Sequence, residues 1–412
     1  TNSLVGKIVL LNTSISPVQI GKISHICWLI FQEKKMSAPK CPICHELMRK
    51  HGKTKAGKQR WICKSCKATK THAINSDAKQ LKIFFDWLLS RKRQADIAHI
   101  TDRTFRNRTS KFWKYWALPP LIDEIHKVVY ADGFHLGRKA VVLIACSDEY
   151  VLGWYLARHE HTQAWANLLR RIAPPDMVVS DGGQGFRSAV KQIWPDTQIQ
   201  RCAFHAFNQV RRYTTRNPRL VPGRELLLIA TDLLHVKTED EAFVWLKRYF
   251  DWCEYWDEFL AEKTYIDGNY IFTHEKLRKA KRSLNRLINS GHLFTYLDPL
   301  LSLDVSLPST NNRIEGGVNA PLREMLRLHR GMSLSRRIKA IFWWCYLHTE
   351  CPLGPADILK VMPTDDDIDE IYNRLARREK LSSDIPKWGD AIMWSELHHI
   401  DPSHESFRHD WD

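Results

Sequence analysis

Val128-Val129-Tyr130-Ala131-Asp132-Gly133 is the stretch on which the reading of this chain turns. Apolar residues of high strand propensity run straight into a carboxylate and a glycine, as a short buried strand does when it ends at an exposed acid. The arrangement recurs 49 residues on, as Met177-Val178-Val179-Ser180-Asp181-Gly182-Gly183. A third acid, Glu315, stands in Ser309-Thr310-Asn311-Asn312-Arg313-Ile314-Glu315-Gly316-Gly317. Taken singly, Asp followed by Gly is ordinary turn punctuation. What gives the pair weight is the pattern of elements around it.

Working outward, the sequence predicts strands over Val128–Asp132, Lys139–Cys146 and Tyr150–Ala157, then a helix over Thr162–Arg171 that Pro174-Pro175 ends. A strand at Met177–Ser180, a helix at Gln184–Ile193 and a strand at Gln198–Phe204 follow. The order β-β-β-α-β-α-β is that of a ribonuclease H-like α/β core, antiparallel strands first and parallel ones after. In that topology the first and fourth strands are neighbours, so Asp132 and Asp181 would face each other at their carboxyl ends. Two carboxylates about 4 Å apart repel by roughly 4 kcal/mol at an effective dielectric near 20. Neither strand offers a basic partner, and an all-oxygen donor set suits Mg²⁺ or Mn²⁺ better than zinc. With Glu315 the expected cage is a catalytic triad holding two such ions. Asp132 would bridge them, and Asp181 and Glu315 would each complete one side. A pair of ions held in this way can activate an attacking oxygen and stabilise the leaving oxygen of a phosphodiester.

Upstream, Cys41-Pro-Ile-Cys44 and Cys63-Lys-Ser-Cys66 are separated by 18 residues. Four thiolates in two such knuckles suit one structural Zn²⁺. The spacer carries Arg49, Lys50, Lys53, Lys55, Lys58 and Arg60, with Trp61 before the second pair. The zinc is expected to fold a module too small to fold alone, and contact of the basic hairpin with DNA is the further expectation. An amphipathic helix at Leu81–Leu89 precedes Arg91-Lys92-Arg93. Short helices at Gln94–Ala98 and Asp102–Trp113 come next, the second exposing Arg103, Arg106, Arg108 and Lys111 and burying Phe105 and Phe112. That is the order of a helix-turn-helix, although a plain three-helix bundle reads the same way. Residues 208–307 are predicted to be an all-α insertion. Its Trp245, Trp252 and Trp256 share one face, read as packed core rather than a base-stacking platform. In its last helix, Glu275–Asn289, the cations Arg278, Lys279, Arg282 and Arg286 lie opposite the apolar side. They are either a solvated face or a track for a phosphate backbone.

These readings divide the chain into an upstream segment (1–36), a zinc ribbon (37–76), a helix-turn-helix domain (77–118) and a core in two parts (121–207 and 308–350). The insertion at 208–307 separates the two parts, and an acidic tail (351–412) closes the chain. Residues 1–35 carry little charge and no clear period, so Met36 is the expected native start. The whole chain has 62 Lys+Arg against 46 Asp+Glu, a net charge of +16 and a pI near 9.4. Residues 361–412 hold 13 acids and 6 Lys+Arg, a net of −7, which leaves about +23 on the rest. So basic a body points to a polyanionic partner such as nucleic acid. The acidic end is either a stand-in for that partner or a solvated tail. Ten cysteines in a chain of 412, four of them in Cys-x-x-Cys pairs, are no disulfide framework and fit a reducing cytoplasm. No run nears the roughly 20 apolar residues of a membrane span.

The motifs Ala131-Asp132-Gly133, Ser180-Asp181-Gly182, Cys202-Ala-Phe-His205 and Ser309-Thr-Asn311-Asn-Arg-Ile-Glu315 resemble those of Mutator-type DDE transposases of bacterial insertion sequences. The resemblance runs in order over residues 128–350, and the zinc ribbon and helix-turn-helix resemble those of one bacterial branch. It implies a nucleoid-associated enzyme that binds the terminal inverted repeats of its element as double-stranded DNA, cuts at the ends with Mg²⁺, and joins the freed 3′-hydroxyl to target DNA. Its acids map onto Asp132, Asp181 and Glu315. Joining two ends implies a homodimer or larger assembly on DNA. Cys202 and His205 belong to the signature with no evident chemistry; half a zinc site at most, they read as a packed strand end. Two rivals remain: a domesticated DNA-binding regulator without cleavage, and a structure-selective nuclease on the same core.

Overall fold

The computed structural model describes residues 38–379 except 42, 56–58, 72–75, 99, 267 and 303–305. The upstream segment, Lys58 and the end of the acidic tail therefore lie outside the described residues. The described residues fall into two compact units, one within 1–115 and 353–371 and the other within 116–352 and 372–379. No helix among the described residues is long and apolar enough to cross a membrane.

The first unit opens with a three-stranded antiparallel sheet of β1 (Arg49–Lys53), β2 (Gln59–Ile62) and β3 (Thr69–Thr71), in that order. Its small core is Cys41, Met48, Trp61 and Cys63. The helix Asp77–Leu89 buries Leu81, Phe84, Phe85 and Leu88, the i, i+3, i+4, i+7 spacing of one face. Helices Gln94–Ala98 and Asp102–Thr109 follow, the latter capped by Thr101, which accepts from Thr104 N. Trp87 packs edge-on against Phe105, and Phe84 against Trp113. The third helix is shorter than the predicted Asp102–Trp113. The Thr109 hydroxyl donates back to Phe105 O, and the chain tightens into a 3₁₀ turn over Ser110–Lys114. Residues read as the start of an acidic tail instead form helices Pro355–Val361 and Asp365–Glu379, and the first packs on Asp77–Leu89.

The second unit is built on a mixed five-stranded sheet of order β6-β5-β4-β7-β8. Its strands are β4 (Val128–Leu136), β5 (Ala140–Cys146), β6 (Val151–Ala157), β7 (Met177–Ser180) and β8 (Gln198–Arg201). The β4–β5 and β5–β6 pairs are antiparallel; β4–β7 and β7–β8 are parallel. Every residue of β5 is buried, which requires cover on both faces. Helices Thr162–Leu169 and Gln184–Ile193 supply Trp165, Leu168, Phe186 and Val190 against Val129, Ala131, Val141 and Leu143. On the other side Phe342, from helix Leu334–Leu347, meets Trp154 edge-on at 6.0 Å.

Two strand ends differ from expectation. β4 continues four residues past Asp132, because Gly133–Leu136 pair with Ala140–Leu143 through a turn at Gly137 (φ 62°). β8 stops at Arg201, and Cys202 caps the helix Ala203–Thr214. Cys202 and His205 therefore stand at a helix start, not a strand end.

The insertion is not all-α. Between helices Val221–Asp232, Glu239–Tyr255, Asp257–Ala261 and Glu275–Asn289 lies an antiparallel hairpin of β9 (Lys263–Ile266) and β10 (Asn269–Phe272). The cause is readable in retrospect. Thr264-Tyr265-Ile266 and Tyr270-Ile271-Phe272 flank Asp267-Gly268, a strong short-range hairpin signal, and Gly268 takes φ 83°. The tryptophan face is core, as read: Trp245 and Trp252 are buried, their indole N–H groups donating to Ile229 O and Pro222 O, with Tyr249 stacked between them.

Trp245→Ala should cost about 3–5 kcal/mol of stability in denaturant titrations. Lys247→Ala, two residues away on the exposed side, should stay within about 0.5 kcal/mol. Equal effects would contradict this assignment of faces.

Candidate active site

The parallel register pairs Ala131 with Ser180, so the next residues, Asp132 and Asp181, come side by side where β7 ends and β4 runs on. Asp132 Oδ1 accepts from Gly133 N (2.9 Å) and its Oδ2 from Asn319 Nδ2 (2.7 Å). Asp181 Oδ1 accepts from Gly183 N at 3.1 Å. Burial, and then the Asp181 carboxylate, pushes the Asp132 carboxyl up to about 7, with Glu160 and Glu315 adding to the rise. No cation offsets this; its relief comes from the Gly133 N–H.

Glu315 reaches the site through a wide turn of helix. Asn312–Ile314 opens the segment, Glu315–Asn319 is π-helical, and Ala320–Leu328 continues it. A π turn holds more than four residues, so Glu315 and Asn319 fall on one side, and the second of them touches Asp132. The entry is anchored by buried Asn311. Its N–H donates to Cys202 Sγ (3.1 Å) and its side chain to Ala131 O (3.3 Å). The signature cysteine is thus a buried acceptor that pins the Glu315 segment to the sheet. His205 Nδ1 lies 3.4 Å from Glu315 Oε1, and Cys202, His205 and Glu315 offer ligand atoms within 4.8 Å of one another.

Sequence reasoning missed four participants. Glu160 is a fourth acid at the site; His135 Nε2 pairs with it at 2.8 Å, and that bond raises the His135 pKa. Asn311 and Asn319 flank Glu315 at four residues on either side, the second lying two residues past the motif that was singled out. Arg201 ends β8 close to Asp181. Arg201 and Glu160 also explain the glycines. A Cβ at Gly133 would overlap the Glu160 carboxylate, and one at Gly182 (φ 85°) would overlap the Arg201 guanidinium. Each glycine leaves room for a charged side chain beside an aspartate.

The donor set fits a hard divalent ion. Asp132, Asp181 and Glu315 contribute carboxylates and Asn319 an amide that neutralises nothing, while His135 pairs with Glu160, His205 lies beside Glu315 and Arg201 lies near Asp181.

In the other unit, Cys41, Cys44, Cys63 and Cys66 gather with sulfurs 3.3 Å (Cys44–Cys63), 3.4 Å (Cys41–Cys66) and 3.6 Å (Cys44–Cys66) apart. A tetrahedral Zn²⁺ with Zn–S near 2.3 Å spans sulfurs at about 3.8 Å, so the cluster is compatible with structural zinc. The knuckles match: His45 (φ 61°) and Lys67 (φ 58°), each just after a second cysteine, are left-handed. Backbone N–H groups of Cys44 and Ile43 hold the Cys41 thiol down to about 6, which favours the thiolate. Arg49, Lys50, Lys53, Lys55 and Arg60 are exposed around it.

The expected DNA contacts sort unevenly. Arg103, Arg106 and Arg108 are exposed, whereas Lys111 is held by Asp77 at 2.6 Å. Arg278, Lys279 and Arg282 gather round Glu275, and Arg278 also stacks on Phe272 at 3.6 Å. Arg286 has no ion pair among the described residues.

The sequence profile described as Transposase, Mutator family matches residues 89–287. Those residues are similar to the Mutator-family transposase domain. Asp132 and Asp181 lie inside the match, and Glu315 beyond it. The chain is 36% identical over 74 residues to the transposase for insertion sequence element IS6120 of Mycolicibacterium smegmatis, covering 17% of this chain and 20% of that protein. It is 26% identical over 116 residues (24% and 30%) to the transposase for IS905 of Lactococcus lactis subsp. lactis (strain IL1403). It is 23% identical over 195 residues (42% and 49%) to that for ISRM3 of Rhizobium meliloti (strain 1021). The matched segments span half or less of each relative's length. The resemblance to Mutator-type insertion-sequence transposases is borne out.

Metal analysis of the purified chain should return a zinc near one per chain, lost in Cys66→Ser with loss of ordered structure in the first unit. At the acid site the folded pKa of Asp132 is raised, so its contribution to stability is full below about 4 and lost as pH rises through about 7. In chelator the melting temperature should therefore drop over that window. Adding Mg²⁺ should raise it more at pH 8 than at pH 5, and Asp132→Asn should abolish the difference. A Mg²⁺ effect independent of pH and of Asp132 would exclude an ion there.

Proposed function

We propose that this chain is a DNA transposase that binds the terminal inverted repeats of its element, cuts phosphodiester bonds at the ends with Mg²⁺ or Mn²⁺, and transfers the freed 3′-hydroxyl to target DNA. The observation that carries the reading is that a Mutator transposase domain places two aspartates side by side on a mixed sheet, with Glu315 acting on the same carboxylate. On this reading the sheet is a ribonuclease H-like core, and Asp132, Asp181 and Glu315 are the catalytic acids.

Those three acids would hold the ions. The bound metal supplies a Lewis acid for the phosphoryl oxygens and a more acidic nucleophile at neutral pH. The chain's own residues do the positioning. Asn319 fixes the Asp132 carboxylate through Oδ2, Gly133 N fixes it through Oδ1, and Gly183 N orients Asp181. Asn311 and Cys202 tie the segment carrying Glu315 to β4. Glu160, paired with His135, adds negative potential at the edge of the site.

DNA recognition falls to the first unit. Helices Gln94–Ala98 and Asp102–Thr109 are read as a helix-turn-helix presenting Arg103, Arg106 and Arg108, and the zinc ribbon adds its exposed cations. The partners are double-stranded element ends and target DNA, met at the nucleoid in the cytoplasm by a homodimer or larger assembly.

The test is nicking of a duplex that carries the inverted repeats flanking this reading frame. Cleavage should require Mg²⁺ or Mn²⁺. It should fall by about a thousandfold or more in Asp132→Asn, Asp181→Asn and Glu315→Gln, since the metals contribute several kcal/mol to such a step. Binding without cleavage by the wild-type chain would favour a regulator. Cutting of branched DNA regardless of the repeats would favour a nuclease.

A further inference from the structure

We propose that a pocket beside Asp181, walled by Arg187, Arg201, Arg286 and His292, is a seat for a backbone phosphate of the DNA strand that enters the acid site. The identity of the ligand rests on the transposase reading; the existence of an anion seat does not.

The pocket holds about 210 Å³ and is lined by Gly182, Arg187, Arg201, Gln209, Arg286 and His292 among others. It is smaller than the roughly 300–1,000 Å³ of ordinary small-molecule sites, a size for a single charged group. Its walls come from distant parts of the chain. Gly182 follows β7, Arg187 lies on the next helix, and Arg201 ends β8. Arg286 and His292 come from the insertion, and Arg201 N donates to His292 O at 2.7 Å.

Charge makes the case. None of the three guanidiniums has an ion pair among the described residues, and the buried Nε atoms of Arg187 and Arg201 have no hydrogen-bond partner. Burial pulls the Arg201 pKa down, and the foremost acid acting against that is Asp181. His292 is pulled down likewise, by burial and then by Arg187 and Lys191. Withdrawing the Arg187 and Arg201 Nε groups from water without a partner is costly, and a fold that keeps them in one pocket, with exposed Arg286 at its rim, recovers the cost when an anion arrives. Guanidinium forks converging on a small space suit a tetrahedral oxyanion. Helix Glu275–Asn289 supports the assignment by contrast, since Glu275 gathers Arg278, Lys279 and Arg282 while Arg286 is left to the pocket. Gly182 is part of the construction, because a side chain there would evict the Arg201 guanidinium. The pocket and Asp181 share one strand end, so a strand anchored here has its neighbouring phosphate in reach of the acids.

The experiment uses the full chain, with orthophosphate as the first probe and a duplex bearing the element end as the second. At constant ionic strength, phosphate should raise the melting temperature of the wild type saturably where chloride does not. Arg187→Gln/Arg286→Gln should lose that rise. Arg286→Gln alone changes an exposed helical position and should weaken it without a folding defect. With the duplex, the slope of log Kd against log salt should shrink by about one in the double variant. No saturable phosphate effect in the wild type, or a double variant equal to wild type in both assays, overturns the seat. A phosphate effect with an unchanged DNA slope overturns the DNA assignment in favour of a free anion. Asp132→Asn should bind phosphate as the wild type does. Phosphate binding without any DNA cleavage would sink the transposase reading and leave the seat standing, and cleavage without phosphate binding would do the reverse.

Discussion

Parallel pairing of β4 with β7 is the constraint from which the rest of the second unit follows. Once Ala131 lies opposite Ser180, two carboxylates must share one small volume. Burial and mutual repulsion then lift Asp132 far from the usual carboxylate range. The surroundings accommodate the crowding without discharging it. Neutral groups, the Asn319 amide and the Gly133 and Gly183 N–H groups, orient Asp132 and Asp181, and His135 pairs with Glu160. A site arranged in this way stays poised for a divalent cation.

The same economy explains residues that look unrelated in the sequence. Cys202 is a sulfur acceptor for the Asn311 N–H and so part of the fastening that brings a segment more than a hundred residues away back to the sheet. The π turn at Glu315–Asn319 widens the helix so that an acid and an amide face one side. Gly133 and Gly182 are spaces as much as turns, one for Glu160 and the other for Arg201. The insertion, packed around stacked Trp245, Tyr249 and Trp252, presents Arg286 and His292 to the end of β8.

Much of this was legible from local pattern. The strands, the two covering helices, the tryptophan face and the four cysteines were all signalled by spacing and by residue type, because strand alternation, helical period and ligand count are local properties. What was misread had a local cause too. The Asp267-Gly268 hairpin was overlooked inside a helical stretch, and β4 was cut short at the glycine that interrupts its apolar run. Helix Asp102–Thr109 ended early because a threonine hydroxyl competed for the backbone.

By itself, then, the sequence determined that three acids, a zinc-type cysteine set and a basic body exist in this chain, and that two of the acids follow strands of a core able to pair them. Those are matters of composition and short-range period. Only the tertiary structure decided which charges meet. Lys111 was claimed by Asp77, and Arg278, Lys279 and Arg282 by Glu275, while Arg187, Arg201 and Arg286 gather around one pocket with no ion pair among the described residues. A side chain's charge is written in its identity. Whether that charge is spent inside the fold or kept for a ligand depends on neighbours that lie tens to hundreds of residues away.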